Sequence, residues 1–223
     1  MAELTLKSAI GISGDAPCLL HPLDTHLIYA LGAAIVIRSV DDATAQTFLH
    51  AHDQKITALA LSKDGTVLAS GQESHPGTIA DIFLWDLTDL TAPKRVGNLR
   101  NHKVKVQALA FSASGAFLAS LGGSDDNKLV VWDVAERAPI CGKPAAHDDA
   151  KVVQWFNHSE TQLVTGGIEH VRRWDFSAEQ RKVLPNDYQL GKDRRCITAL
   201  ALARADRAPH VGTSPGAAPP PDN

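Results

Sequence analysis

The stretch KITALALSKDGTVLASG at residues 55–71 returns in altered form as VQALAFSASGAFLASLG at residues 106–122. Its apolar part, ITALAL, is repeated letter for letter at residues 197–202. The first two copies share one order: an apolar run, a short polar turn that contains Gly, and a second apolar run. A chain that repeats a segment together with its surroundings is built from repeated structural units.

Polar residues recur at a fixed interval between these apolar runs. A histidine precedes a hydroxyl residue by the same interval three times, and a Trp-Asp pair follows each hydroxyl residue after a variable interval. The three sets are His52, Ser70 and Trp85; His102, Ser120 and Trp132; and His147, Thr165 and Trp174. The fixed interval indicates a common scaffold, and the variable one indicates a loop. Units of this length that end in Trp-Asp are typical of WD-type β-propeller blades.

A blade explains why the repeated strand is apolar on both faces. A blade is a four-stranded sheet held between two neighbouring blades, so neither face of its strands meets water. In residues 56–61, small and large side chains alternate instead of polar and apolar ones, which suits wedge-shaped packing around a tapering centre. The sequence therefore predicts an all-β, WD-repeat β-propeller, here an incomplete ring of about four blades plus the start of a fifth.

The boundaries of the units follow from the same landmarks. The predicted blades are residues 17–50, 51–100, 101–144 and 147–186, with a fifth beginning at 195–203. The first blade is degenerate, because Ile37 and Arg38 stand where Trp-Asp is expected. Residues 204–223 are rich in Pro, Gly and Ala and are expected to be disordered, with HVGTS at 210–214 as a remnant strand in the alternative interpretation. An open ring is expected to need a further part of a longer protein, or a partner, to cover its exposed faces.

Composition restricts the class of protein. The chain of 223 residues has a net charge of −3 and is 44% hydrophobic, which favours an ordinary globular protein and gives no sign of nucleic-acid binding. No apolar run reaches membrane-spanning length, and no secretion signal is visible, so membrane insertion and secretion are not expected. Cys18, Cys141 and Cys196 are far apart, which suits a reducing, cytoplasmic compartment and provides no zinc knuckle.

The repeated histidine and hydroxyl residues invite a catalytic interpretation. The most complete set is His102, Ser120, Asp126 and Trp132. An enzyme needs one such constellation, whereas this pattern occurs three times, so the set is predicted to be a structural hydrogen-bond chain inside the blade. Ile79 and Ile168 replace the matching Asp in the other two blades, which predicts a shorter chain there. We expect no catalytic, cofactor-binding or metal-binding residue and no small-molecule substrate.

Three segments resemble one particular family. They are HLIYALG at 26–32, ADIFLWD at 80–86 and SLGGSDDNKLVVWDVAERAPICGKPAAH at 120–147. These segments are similar to the N-terminal part of the first propeller in the WD-repeat cilia- and flagella-associated protein 52 family, and the resemblance covers about residues 2–202. It implies a non-enzymatic scaffold in the axoneme of cilia and flagella, part of the cytoskeleton, with tubulin and other microtubule inner proteins of the doublet microtubule as partners.

Candidate contacts with tubulin come from a basic run around the join of two blades. Its members are Lys94, Arg95, Arg100, Lys103 and Lys105. Tubulin is acidic, so attraction to this run is expected, and a solvated surface is the alternative interpretation. The long loop GQESHPGTIAD at 71–81 is a second candidate. A general adaptor in the cytosol, such as a ubiquitin-ligase or signalling scaffold, remains the alternative function, because the same blades would serve it with different surface loops.

Overall fold

The computed structural model describes residues 8–12, 14, 16–17, 19–21, 23–145, 149–188, 196–202 and 209–214. These residues form eighteen β-strands and no helix. The described residues therefore contain no helix that is long and apolar enough to cross a membrane. The predicted all-β class is confirmed.

Four antiparallel sheets follow one another along the chain, and each is a meander whose sequential strands are neighbours. The first sheet contains β1 (Leu19–Leu20), β2 (His26–Leu31), β3 (Ala34–Ser39) and β4 (Gln46–His50). The second contains β5 (Ile56–Leu61), β6 (Val67–Gln72), β7 (Ile79–Asp86) and β8 (Lys94–Lys103). The third contains β9 (Val106–Phe111), β10 (Phe117–Gly122), β11 (Lys128–Asp133) and β12 (Ala138–Pro144). The fourth contains β13 (Ala150–Trp155), β14 (Gln162–Gly167), β15 (Val171–Ser177) and β16 (Lys182–Tyr188).

Two outer strands extend past the unit ends predicted from the sequence. The second unit was expected to end at residue 100, but β8 continues to Lys103. The fourth was expected to end at residue 186, but β16 continues to Tyr188. In the second sheet the reason is local: His102, predicted to begin the hydrogen-bond chain of the next unit, lies on β8 itself, and its side chain is fully buried.

A two-stranded fifth sheet corrects the prediction for the C-terminal segment. It consists of β17 (Cys196–Leu202) and β18 (Pro209–Ser214), which pair in an antiparallel register. Residues 209–214 were expected to be disordered, and instead their backbone pairs with the repeated ITALAL segment. The alternative interpretation, a remnant strand at 210–214, agrees with β18, and Pro209 stands at its first position, where a missing backbone donor is tolerated. The rest of the segment expected to be disordered lies outside the described residues.

The sheets stack face to face, and buried tryptophans lie at three successive interfaces. Trp85 belongs to the apolar cluster between the first and second sheets, Trp132 to the next cluster and Trp174 to the one after it. All three side chains are almost completely buried. Burial of a large apolar side chain stabilises a fold by roughly 1.5–3 kcal/mol. The Trp of each unit therefore joins its own sheet to the preceding one.

Close approach of backbone to side chain fixes the spacing of two interfaces. A Cβ added to Gly71 would lie 2.5 Å from Val106 Cγ1, and one added to Gly166 would lie 2.7 Å from Ile197 Cγ2. In each case the second residue begins or nearly begins the inner strand of the next sheet. Between the third and fourth sheets the sizes are reversed: Leu121 occupies the position of the glycine, and Ala150 that of the large residue.

The sheets are arranged as an open arc. The inner strand β5 packs beside β9, β9 beside β13, and β13 beside β17. Within the described residues, no extensive contact joins the fifth sheet to the first. Residues 8–12 lie against the first sheet, where Ala9 N donates to Gln46 Oε1 at 2.8 Å and Gln46 Nε2 donates to Ala9 O at 3.2 Å. The propeller is therefore incomplete over this part of the chain.

Candidate functional site

The structure brings the four residues of the most complete set together: Ser120 and Trp132 lie in the third sheet, His102 at the end of β8 in the second, and Asp126 in the loop between β10 and β11. Ser120 Oγ lies 2.6 Å from His102 Nε2 and accepts a hydrogen bond from Trp132 Nε1 at 2.7 Å. His102 Nδ1 lies 3.1 Å from Asp126 Oδ2. An ionised carboxylate only accepts, so Nδ1 of a neutral His102 donates to Asp126 and Nε2 accepts from the hydroxyl. The chain therefore runs in one direction, from indole to hydroxyl to imidazole to carboxylate.

This connectivity contains the serine, histidine and aspartate of a hydrolase triad, but its burial is different. His102 and Ser120 are 0% exposed, and Trp132 is 1% exposed. The hydroxyl oxygen that would attack a substrate instead accepts the indole N–H. With no access for a substrate to Ser120 Oγ, the arrangement can satisfy buried polar groups but cannot present a nucleophile.

Asp126 connects this buried chain to the neighbouring loop. Its Oδ2 also accepts a hydrogen bond from the backbone N of Lys103, at 3.2 Å. A Cβ added to Gly122 would lie 1.6 Å from Asp126 Oδ1. Only glycine leaves room for the carboxylate at this position. The glycine and the aspartate are therefore two parts of one arrangement, although the sequence pattern identified only the aspartate.

The second sheet forms a longer chain than the sequence predicted. His52 Nε2 lies 2.7 Å from Ser70 Oγ, which accepts from Trp85 Nε1 at 2.8 Å. Gln72 takes the place of the missing carboxylate: its Oε1 accepts from His52 Nδ1 at 2.7 Å, and its Nε2 donates to Asp53 Oδ1 at 2.7 Å. The prediction of a shorter chain is therefore wrong for this sheet.

Burial governs the protonation of His52. Loss of solvent lowers the pKa of its imidazole from the usual 6.5, and the hydrogen bond to Gln72 opposes that effect in part. An amide oxygen stabilises a protonated ring less than a carboxylate would. His52 is thus held as a neutral link in the chain.

The fourth sheet retains one hydrogen bond of the pattern. Trp174 Nε1 donates to Thr165 Oγ1 at 2.9 Å, and both residues are fully buried. The guanidinium of Arg172 lies 5.3 Å from the centre of the Trp174 ring, within the range of a cation–π contact. His147, the predicted histidine of this set, lies outside the described residues.

The basic run does not form one continuous patch. Lys94 and Lys103 are the two ends of β8, and ten strand residues extend roughly 30 Å at about 3.3 Å each. Between them, the Arg95 guanidinium lies 5.0 Å from the centre of the Phe83 ring. Arg100 Nε lies 2.9 Å from Asp81 Oδ1, so part of the positive charge is neutralised. Lys103 and Lys105 flank the turn at the far end of the strand.

The possible metal ligands and the thiols are the remaining reactive groups of the described residues. In the described part of the chain, no group of three or more His, Cys, Asp or Glu side chains could hold a metal ion. Burial raises the pKa of the Cys141 thiol to about 11. Since the thiolate is the reactive form, Cys141 is a poor nucleophile at neutral pH.

Comparison with known proteins identifies relatives and a fold. The sequence profile described as "WD domain, G-beta repeat" matches residues 43–80 and 93–133. Cilia- and flagella-associated protein 52 of Chlamydomonas reinhardtii is 41% identical over 219 residues, which are 97% of this chain and 35% of that protein. The Bos taurus protein of the same name is 38% identical over 219 residues, which are 96% of this chain and 34% of that protein.

Solved structures show the same architecture. The structure of the RRP9 WD40 repeats matches with a TM-score of 0.70 at 22% sequence identity, covering 88% of this chain and 56% of that one. At this identity the likeness concerns the fold alone. The chain spans about a third of the length of the curated relatives it matches.

Proposed function

Because the chain is a WD-repeat protein that resembles cilia- and flagella-associated protein 52 over nearly its whole length, we propose that it acts as a non-enzymatic scaffold in the axoneme of cilia and flagella. In this role it binds tubulin in the lumen of doublet microtubules, together with neighbouring inner proteins, and supports axoneme stability and ciliary motility. The candidate contacts with tubulin are Lys94, Arg95, Arg100, Lys103 and Lys105.

The observation that carries this proposal is the breadth of the resemblance. Proteins with this one name from an alga and from several mammals are 36–41% identical to the chain, over 96–97% of its length. Their shared name supports a location in cilia and flagella. Because the chain spans about a third of those proteins, the role of the whole relatives is transferred to it only as a proposal.

The internal hydrogen bonds support a scaffold rather than an enzyme. In the second and third sheets the groups with catalytic potential are buried and bonded to one another. Such chains stabilise a sheet without presenting a reactive atom to solvent. Binding is therefore assigned to surface residues and loops, which a rigid stack of sheets holds in fixed positions.

Co-sedimentation tests the proposal, with the chain added to purified tubulin before polymerisation so that it can reach the luminal face of the microtubules. The full chain should appear in the pellet in proportion to the polymer concentration, and added salt should weaken this binding, because the contact is largely electrostatic. A chain that stays in the supernatant at all polymer concentrations would exclude direct tubulin binding.

A second experiment distinguishes the axonemal scaffold from a general adaptor. In ciliated cells, the tagged chain should remain with the axoneme after detergent extraction. Enrichment in the detergent-soluble cytosol, and equal abundance in cells that lack cilia, would favour the adaptor of ubiquitin ligases or signalling complexes.

A further inference from the structure

The turn between β8 and β9 has an unusual backbone. It consists of Lys103, Val104 and Lys105, and the Lys105 N–H donates to the carbonyl of Lys103 at 2.6 Å. Val104 has a φ of 59°. A β-branched residue in the left-handed region is strained, and such strain persists only where the surroundings enforce it.

The long loop that precedes β7 enforces this conformation from one side. Ser74 N donates to the carbonyl of Val104 at 2.5 Å, and the N–H of Val104 donates to the carbonyl of Thr78 at 3.1 Å. The loop is itself closed by a hydrogen bond from Thr78 Oγ1 to the carbonyl of His75 at 2.6 Å. The N–H and the carbonyl of Val104 are therefore both held by the loop between β6 and β7, which is longer than the corresponding loops of the other three four-stranded sheets.

The third sheet holds the turn from the other side. The N–H of Lys103 donates to Asp126 Oδ2 at 3.2 Å, and the carbonyl of Lys105 accepts from Gly123 N at 2.9 Å. Asp126 is also the last member of the buried hydrogen-bond chain. The turn is thus hydrogen-bonded to the same carboxylate that ends the buried chain of the third sheet.

The surface that results is basic with an apolar neighbour. Lys103 is exposed and pairs in register with Ile79, whose side chain is 44% exposed. Among the described residues, neither Lys103 nor Lys105 forms an ion pair. Arg100 of β8, by contrast, is paired with Asp81 of the neighbouring strand β7. The two lysines are the members of the basic run that lie at this doubly held turn, where Lys103 is exposed and Lys105 is half-buried.

We propose that the turn Lys103–Lys105, with Ile79 beside it, is the contact element through which the chain binds an acidic protein surface. This inference rests on the proposed function, in which that surface belongs to tubulin. Two ammonium groups carried on a turn of fixed backbone attract carboxylates, and the adjacent apolar side chain adds burial to the contact. Because the backbone is already ordered, little conformational entropy is lost on binding.

Co-sedimentation of the full chain with microtubules from purified tubulin tests this assignment. Lys103→Gln combined with Lys105→Gln should weaken binding by roughly tenfold or more. The matched control is Lys143→Gln combined with Lys182→Gln, which removes the same charge from exposed positions on β12 and β16. The control should bind as the wild type does, and both double variants should melt at the wild-type temperature.

The outcomes separate this inference from the function on which it rests. If the wild type fails to sediment with microtubules, the proposed function and the contact element are both wrong. If the wild type sediments and the Lys103 and Lys105 variant sediments equally well, only the contact element is wrong. Equal losses in the test and control variants would show a non-specific charge effect and would also overturn it.

A third variant tests the strain independently of the charges. Val104→Asn places a residue that tolerates the left-handed conformation at the centre of the turn. This variant should melt at a higher temperature than the wild type and retain the backbone that positions both lysines. A melting temperature at or below that of the wild type would contradict the assignment of strain to Val104.

Discussion

Ser120→Ala is the substitution that most directly separates a structural chain from a catalytic one. The hydroxyl satisfies two fully buried neighbours, the indole N–H of Trp132 and Nε2 of His102. Each buried polar group left without a partner costs about 1–3 kcal/mol. The expected loss is therefore about 2–6 kcal/mol, a large part of the roughly 5–15 kcal/mol that stabilises a typical domain.

Urea denaturation followed by tryptophan fluorescence measures this loss as a lower transition midpoint. Ser114→Ala is the matched control, because Ser114 lies exposed in the turn of the same sheet. It should change the free energy of unfolding by less than about 0.5 kcal/mol. A change below about 1 kcal/mol for Ser120→Ala would refute the role of its hydroxyl as the centre of the chain.

A double-mutant cycle isolates the bond between Ser120 and Trp132. Trp132→Phe removes the indole N–H, so the serine is no longer needed to satisfy it. The double variant should lose less stability than the sum of the two single variants, with a coupling of about 1 kcal/mol or more. Additive losses, within about 0.5 kcal/mol, would show that the two side chains do not act together.

Three further predictions follow from the described contacts. Gly122→Ala should destabilise the fold by about 2–4 kcal/mol in urea denaturation, because its Cβ would lie 1.6 Å from Asp126 Oδ1; a neutral result would contradict that contact. Gly71→Leu and Val106→Ala should each lower the thermal midpoint, whereas the double variant, which copies the size order of Leu121 and Ala150 at the next interface, should recover much of the loss. The lowered pKa of His52 means that the unfolded state binds a proton at this imidazole more tightly than the folded state does. The stability that the neutral His52 contributes is therefore fully present above pH 6.5 and is lost as the pH falls below that value. His52→Asn should reduce the dependence of the melting temperature on pH in this range.

The spacing of polar residues predicted the repeated core well. The interval from His102 to Ser120, and the Trp that follows, defined units that the structure shows as successive four-stranded sheets. The signal is strong because a buried indole needs a partner at one fixed place in each sheet. The partners of the histidines differ from unit to unit, so the repeat did not predict them.

Gln72 illustrates what the pattern could not reveal. It replaces the carboxylate of the third sheet from a different position in the chain, two residues after Ser70, where the third sheet has Gly122. A long amide side chain reaches the histidine from there, whereas a glycine leaves room for Asp126. The sequence shows Gln72 where the third sheet has Gly122, but only the register of the strands shows that Gln72 can reach His52.

The basic run shows a different limit. Lys94 and Lys103 are close in sequence, and the prediction treated them as one patch. An extended strand separates its ends by roughly 30 Å, so neighbours in sequence became opposite ends of β8. The strained turn at Val104 could not have been predicted, because no glycine or asparagine marks its left-handed residue.

Repeat proteins risk joining their units in the wrong order, since every unit offers nearly the same surface to its neighbours. Here the recess at Gly71 admits the bulk of Val106, while one interface later Leu121 fills the recess and Ala150 makes way for it. A sheet that begins with Val106 or Ile197 would meet the bulk of Leu121 if it docked on the third sheet, and the fourth sheet would leave a void if it docked at Gly71. Side-chain volumes thus favour the fourth sheet as the neighbour of the third, even before any circle is completed.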